Sequence, residues 1–369
     1  MKITFPHMGT VYLAMKSIFD DLGLEYVVPP QNSKKTLDIG TKYSPKQICT
    51  PFIYNMGNYI QAIEEGADTI LIVGGNGTCR FGYYSDIAKE ILNDLGYKID
   101  FIVLDQKYTK ISDLFNNLKK MMGTNNFLKV IYYIHKAYKI IEKLDVLDKY
   151  LIKNRCYEKN KGEMDLIFSK SIEKICIQKG SENTIRTLNE SIKNLKKVKL
   201  DTTRDTLKIG IVGEIYSVID DYCNLNICKK LNELGCEVYK TQSIYGWLKN
   251  SIFHVSRGKS ADEYLYKKAY DYAKIEIGGH GRENIGHIID FAERNFDGVI
   301  HTMPFSCMPE IIARQILPKV LEEHNIPVMS LIFDEMTGET GYNTRLEAFV
   351  EMLNIRREKS DDAKNLYWN

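Results

Sequence analysis

The chain has 369 residues, 44 % apolar and 27 % charged, with 9 prolines and 25 glycines. That composition supplies a sizeable core and excludes collagen-like and wholly disordered chains. At roughly 150 residues per domain, the length predicts two or three domains. No stretch approaches the run of about 18 apolar residues that crosses a membrane, and Pro6 interrupts the N-terminus too early for a secretory leader. A cytoplasmic protein without a membrane partner is expected.

The formal charge of +2 divides unevenly. Between Lys107 and Leu200 there are 21 Lys and Arg against 10 Asp and Glu, a net of +11. The remainder has 29 basic and 38 acidic residues, a net of −9. The basic stretch holds no proline and only Gly123, Gly162 and Gly180. Its lysines are scattered rather than interleaved with arginine, which speaks against a nucleic-acid partner.

In chain order, Ile3–Phe5 reads as a strand, followed by Gly9 and an amphipathic stretch carrying Leu13, Ile18 and Leu22. Leu22-Gly23 then closes a helix, and Tyr26–Val28 opens a second strand before Pro29-Pro30. The same Leu-Gly punctuation recurs at Leu95-Gly96 and Leu234-Gly235, each time followed by a β-prone run. Strand, helix, left-handed glycine cap and strand in repetition predict βα units around a parallel sheet. Thr69–Val73 and Phe101–Leu104 complete a first α/β unit. Leu207–Glu214, Gly298–Thr302 and Pro327–Phe333 supply the strands of a second. Between them, Phe127, Ile131, Ile134, Tyr138, Ile141, Leu144, Leu147 and Leu151 recur at helical spacing. The expected fold class is α/β, with two Rossmann-like parallel-sheet domains and a mostly helical insert between them. The expected boundaries are 1–106, 107–204 and 205–369, the last including a C-terminal helix.

Eight cysteines and no Cys-x-x-Cys pattern argue against a disulfide scaffold, a zinc ribbon or a thioredoxin-like motif. Three stand apart. Cys49 lies in a turn before a helix running through Tyr59 to Glu64, Cys79 follows strand Thr69–Val73, and Cys307 follows strand Gly298–Thr302. Open α/β sheets place their ligands at the carboxyl ends of strands. Helix N-termini favour thiolate, the species that binds metal. The trio therefore reads as a joint ligand set drawn from both α/β halves. Three thiolates suit zinc, with His280 or His301 as fourth ligand, or an iron–sulfur cluster with one open iron. Cys156, Cys176, Cys223, Cys228 and Cys236 read as core thiols.

Other polar groups follow strands or glycines on the same predicted face: His7, Glu214, Tyr216 and His280. Gly278–Glu283 would present backbone N–H groups and Arg282 to an anion, and Glu310 sits in the first turn after Cys307. Glu214, His280 and Glu310 are the candidate catalytic residues.

Cys49-Thr50-Pro51, the glycine-rich loop to Cys79, and Met303-Pro304-Phe305-Ser306-Cys307-Met308-Pro309-Glu310 resemble three cluster-binding segments. These are the segments of the 2-hydroxyacyl-CoA dehydratase family, which includes benzoyl-CoA reductase subunits and double-cubane cluster proteins. The run from Phe333 to Phe349 is similar to the compact, CoA-protein-activase-related branch. The resemblance implies a [4Fe–4S] cluster on Cys49, Cys79 and Cys307, with an [8Fe–9S] double cubane as the alternative. It also implies an ATP-dependent activator with its own iron–sulfur cluster, an acyl-CoA substrate, and a homodimer or a related second subunit. In the dehydratases the open iron binds the thioester carbonyl, and a ketyl radical expels the hydroxyl group. No Gly-x-x-x-x-Gly-Lys-[Ser/Thr] loop is present, so the activator's own role is not expected here. Three functions compete: a low-potential redox enzyme with an open iron, a non-catalytic electron or cluster carrier, and a structural zinc protein.

Overall fold

The computed structural model describes residues 1–74, 79–104, 119, 121–123, 126–257 and 263–366. They form two compact units, one of Met1–Leu147 with Ile167–Lys196, the other of Asp148–Leu166 with Lys197–Asn369. Each unit contains one all-parallel sheet of four strands, as the repeated βα pattern predicts.

The first unit runs β1 (Lys2–Thr4), α1 (Val11–Leu22), β2 (Glu25–Tyr26), α2 (Lys34–Tyr43), α3 (Thr50–Glu64) and β3 (Thr69–Val73). A 3₁₀ turn (Arg80–Tyr83), α4 (Tyr84–Asp94) and β4 (Asp100–Leu104) follow. The strand order is β2-β1-β3-β4. Most of the core here comes from α3, α4 and β3, with Phe52, Met56, Tyr59, Ile70 and Leu92 fully buried. Sequence periodicity does not announce α2. It forms because Ser33 caps it through the Thr36 amide, and because two glycines let it press on α3. A Cβ on Gly40 would lie 1.9 Å from the Ile53 carbonyl oxygen, and one on Gly57 would lie 2.0 Å from that of Thr36.

Helices α5 (Phe127–Asn154), α6 (Glu163–Ile177) and α7 (Ser181–Leu195) make up the helical stretch between the sheets. The Lys107 end of the expected insert lies outside the described residues. In the first unit α7 is tied to α1: Ser17 Oγ lies 2.7 Å from Thr184 Oγ1, and the Asp21 carboxylate accepts the Ser181 amide at 3.1 Å.

The second unit runs β5 (Lys208–Gly213), α8 (Ile215–Ile219), α9 (Ile227–Glu233), β6 (Glu237–Lys240), α10 (Ile244–Arg257) and α11 (Glu263–Lys268). It continues with α12 (Gly281–Glu293), β7 (Gly298–Pro304), α13 (Met308–His324), β8 (Val328–Phe333) and α14 (Glu339–Leu366). Its order, β6-β5-β7-β8, repeats that of the first sheet. Strand alternation sends Ile209, Ile211 and Ile300 to one face with α9 and α14, and Val212 and Val299 to the other with α12 and α13. Covering both faces with helices is what makes these strands apolar runs.

The Leu-Gly punctuation is borne out three times. Gly23, Gly96 and Gly235 adopt φ of 66°, 84° and 82°. Each is followed by the wide bond of a left-handed helix cap: Leu24 N to Phe19 O at 3.0 Å, Tyr97 N to Leu92 O at 2.9 Å, and Cys236 N to Leu231 O at 2.9 Å.

Candidate functional site

Parallel sheets bind ligands beyond their carboxyl ends, where the strand order reverses. In the first sheet that point lies between β1 and β3, and in the second between β5 and β7. Cys79 follows β3, and Cys307 follows β7, so the repeat places a thiol at the equivalent strand end of each unit.

Cys49, Cys79 and Cys307 also share a local conformation. Each is the N-cap residue of the next helical element, with φ/ψ of −67°/141°, −71°/129° and −74°/104°. In none does the side chain accept a capping hydrogen bond, the usual role of Ser or Asp at this position. Two carry proline at the second helical residue, in Cys49-Thr50-Pro51 and Cys307-Met308-Pro309, which presets the helical turn. Residues just ahead are held in the left-handed region, Gln47 at φ 63° and Ser306 at φ 61°. For a non-glycine residue that costs about 1–2 kcal/mol.

Within the first unit the Cys49 and Cys79 segments are joined. Arg80 Nη1 donates to the Gln47 carbonyl at 3.0 Å. Tyr84, the first residue of α4, places its hydroxyl 2.6 Å from Cys49 Sγ. Edge-on packing against Phe52 and Phe81, at 5.0 and 5.2 Å between ring centroids, holds that phenol in place.

In the second unit, Cys307 sits above a buried polar network. His301 Nε2 lies 2.7 Å from Glu310 Oε2, and both residues are 1 % exposed. Asn284 Nδ2 donates to both Glu310 oxygens at 3.0 Å, while its Oδ1 accepts the Gly213 amide at 3.2 Å. Thus β5, β7, α12 and α13 are pinned together just behind the strand-end loops. Gly213, at φ 148°, admits this approach, since a Cβ would lie 2.0 Å from the Thr302 carbonyl.

Glu214 caps α8, accepting the Tyr216 and Ser217 amides at 3.0 Å each. Burial pushes its carboxyl above the usual carboxylate range against those bonds and the charge of His280. The Gly278-Gly279-His280-Gly281 turn packs on Pro309, where a Cβ on Gly279 would lie 3.0 Å from Cγ and one on Gly281 2.7 Å from the carbonyl. His280 is thereby set beside the helix that Cys307 opens. Glu283 is buried next to it; burial raises its carboxyl, but the His287 hydrogen bond and the charge of His280 hold it low.

His301, one of the two candidate fourth zinc ligands, is engaged with Glu310. Arg282 lies over the Tyr266 and Tyr270 rings and donates to the Tyr266 carbonyl at 3.3 Å. Cys176 is exposed and is not a core thiol. Cys156, Cys223, Cys228 and Cys236 are buried as expected. Burial pushes the thiols of Cys156, Cys228 and Cys236 up to about 12 and that of Cys223 well above its ordinary value, which keeps them protonated. Sequence reasoning missed Tyr84 and Asn284, which reach their partners only through helix packing. Among the described residues, no three His, Cys, Asp or Glu side chains converge as a metal cage, and no helix is long and apolar enough to cross a membrane.

The fold and the site define an α/β protein of two parallel four-stranded sheets bearing cysteine at helix N-caps. Residues 11–353 match the family model of the 2-hydroxyglutaryl-CoA dehydratase D-component, and the chain belongs to that family. No curated protein matches the chain. The family makes it a 2-hydroxyacyl-CoA dehydratase-type component, of an iron–sulfur-related kind that works with a separate activator component.

Proposed function

We propose that this chain is a redox component of a 2-hydroxyacyl-CoA dehydratase-type system in which Cys49, Cys79 and Cys307 are thiolate ligands of a [4Fe–4S] cluster. The observation that carries this reading is the shared N-cap conformation of these three residues and no other cysteine. A cysteine at the N-cap stands at the positive end of its helix, which favours thiolate. The donor set therefore fits the cluster chemistry: sulfur only, in loops that are hydrogen-bonded into place. When bound, such a cluster supplies one-electron transfer and an iron open to a substrate oxygen.

The chain's own groups do the rest. Glu214, whose burial favours the protonated carboxyl, is the group to hold a proton at the end of β5, with His280 beside it. Glu310 is committed to His301 and Asn284, and it positions the start of the Cys307 helix without exchanging protons with substrate. The substrate is an acyl-CoA, and the electron comes from an ATP-dependent activator with its own cluster. A homodimer or a related second subunit completes the enzyme.

A single cubane is favoured over an [8Fe–9S] double cubane, because two of the remaining buried thiols are held in an apolar core: Cys228 and Cys236 pack among Ile209, Leu231 and Val238. Anaerobic purification provides the test. About four iron and four sulfide per chain are expected; a colourless protein holding only zinc would contradict the reading. A change in the reduced-cluster spectrum on adding an acyl-CoA distinguishes an enzyme from a carrier.

A further inference from the structure

Tyr84 brings a phenol hydroxyl against the sulfur of Cys49. The ring is 3 % exposed and already packed edge-on by Phe52 and Phe81, so its apolar burial is complete without the hydroxyl. Burying a hydroxyl costs free energy unless it is hydrogen-bonded. Here the oxygen lies 2.6 Å from Cys49 Sγ. Placement is over-determined: Tyr84 is the first residue of α4, directly after the 3₁₀ turn capped by Cys79, and Arg80 fastens that turn to Gln47.

We propose that the Tyr84 hydroxyl donates a hydrogen bond to the sulfur of Cys49 when that sulfur is a cluster ligand, and so sets the cluster's reduction potential. The inference rests on Cys49 being a ligand, as proposed above. A ligand thiolate has no proton to give, so the phenol must be the donor. A hydrogen bond to sulfur draws electron density from it, which favours the more negative, reduced cluster; hydrogen bonds to sulfur are an established lever on cluster potentials. Tyr84 acts through Cys49 and is a positioning and tuning residue, not a catalytic one.

The experiment compares Tyr84→Phe, Cys49→Ala and Tyr59→Phe in the full chain, purified anaerobically. Iron content and the midpoint potential from dye-mediated titration are the readouts. Tyr59 is the control: it lies on α3, the helix that Cys49 caps, it is 1 % exposed, and its hydroxyl has no hydrogen-bond partner among the described residues. Tyr84→Phe is expected to retain iron and to disfavour reduction by about ten-fold, about 59 mV for one electron. Tyr59→Phe is expected to retain both iron and potential. An unchanged potential in Tyr84→Phe, with iron lost from Cys49→Ala, overturns the tuning role alone. Full iron in Cys49→Ala overturns the ligand and the tuning role together. If Tyr84→Phe does not fold, the unsubstituted protein decides: hyperfine spectra of its reduced cluster in H2O and D2O must show a strongly coupled exchangeable proton, and its absence overturns the inference.

Discussion

At the scale of single residues, the second unit is organised around a pair that no local pattern advertises. His301 lies mid-strand among apolar neighbours, and Glu310 lies in the first turn of a helix, where an acidic residue favours the dipole regardless of tertiary contacts. Only the packing of α12 against α13 brings Asn284 to them. Once buried, such groups are costly to separate: removing one partner of a buried pair costs about 3–5 kcal/mol. Glu310→Ala and His301→Ala are each expected to lose that much in urea unfolding, with the double variant losing far less than the two together. Losses below about 1 kcal/mol would show that the pair is idle. Cysteine chemistry is likewise decided by surroundings. Cys228 and Cys236 lie in an apolar core that keeps them protonated; Cys49 also borders an apolar cluster, but like Cys79 and Cys307 it stands at a helix start.

At the scale of elements, glycine does two different jobs. Gly23, Gly96 and Gly235 end helices in a left-handed turn that was legible in the sequence, because Leu-Gly before a β-prone run has few other meanings. Strands β3, β5 and β7 were equally legible, since strands buried on both faces read as near-continuous apolar runs. Gly40 and Gly57 do something the sequence does not show: they let α2 and α3 approach until a methyl group would meet backbone. Nothing in the polar run of α2 signals a helix, and its partner is known only once the chain is folded. Gly57→Ala is expected to destabilise the first unit by about 1–3 kcal/mol through overpacking and to weaken iron retention, because α3 carries Cys49 at its start. Gly341→Ala, in α14 with nothing within 4 Å of the new methyl, is expected to stabilise instead, by about 0.5–1 kcal/mol. Thermal unfolding of the two variants checks the contrast; equal melting temperatures would refute it.

At the scale of the whole molecule, the near-zero charge is a sum over unlike parts, with +11 between Lys107 and Leu200 set against −9 elsewhere. Part of the positive excess is matched by acidic residues outside the stretch, as where Lys153 meets Glu237 at 3.7 Å in the second unit. The eight cysteines divide as well, into three helix-capping thiols, of which Cys49 and Cys307 are buried, four other buried ones and exposed Cys176. The repeated strand order and strand-end cysteine make the two sheets versions of one plan. The cluster assignment proposed above has one central consequence: iron binding should depend on the three capping thiols and on no other cysteine. Iron content of anaerobically purified single variants tests this most directly. Cys49→Ala, Cys79→Ala and Cys307→Ala should each lose the cluster, while Cys176→Ala and Cys228→Ala should retain it. Full iron content in any of the first three would contradict the assignment.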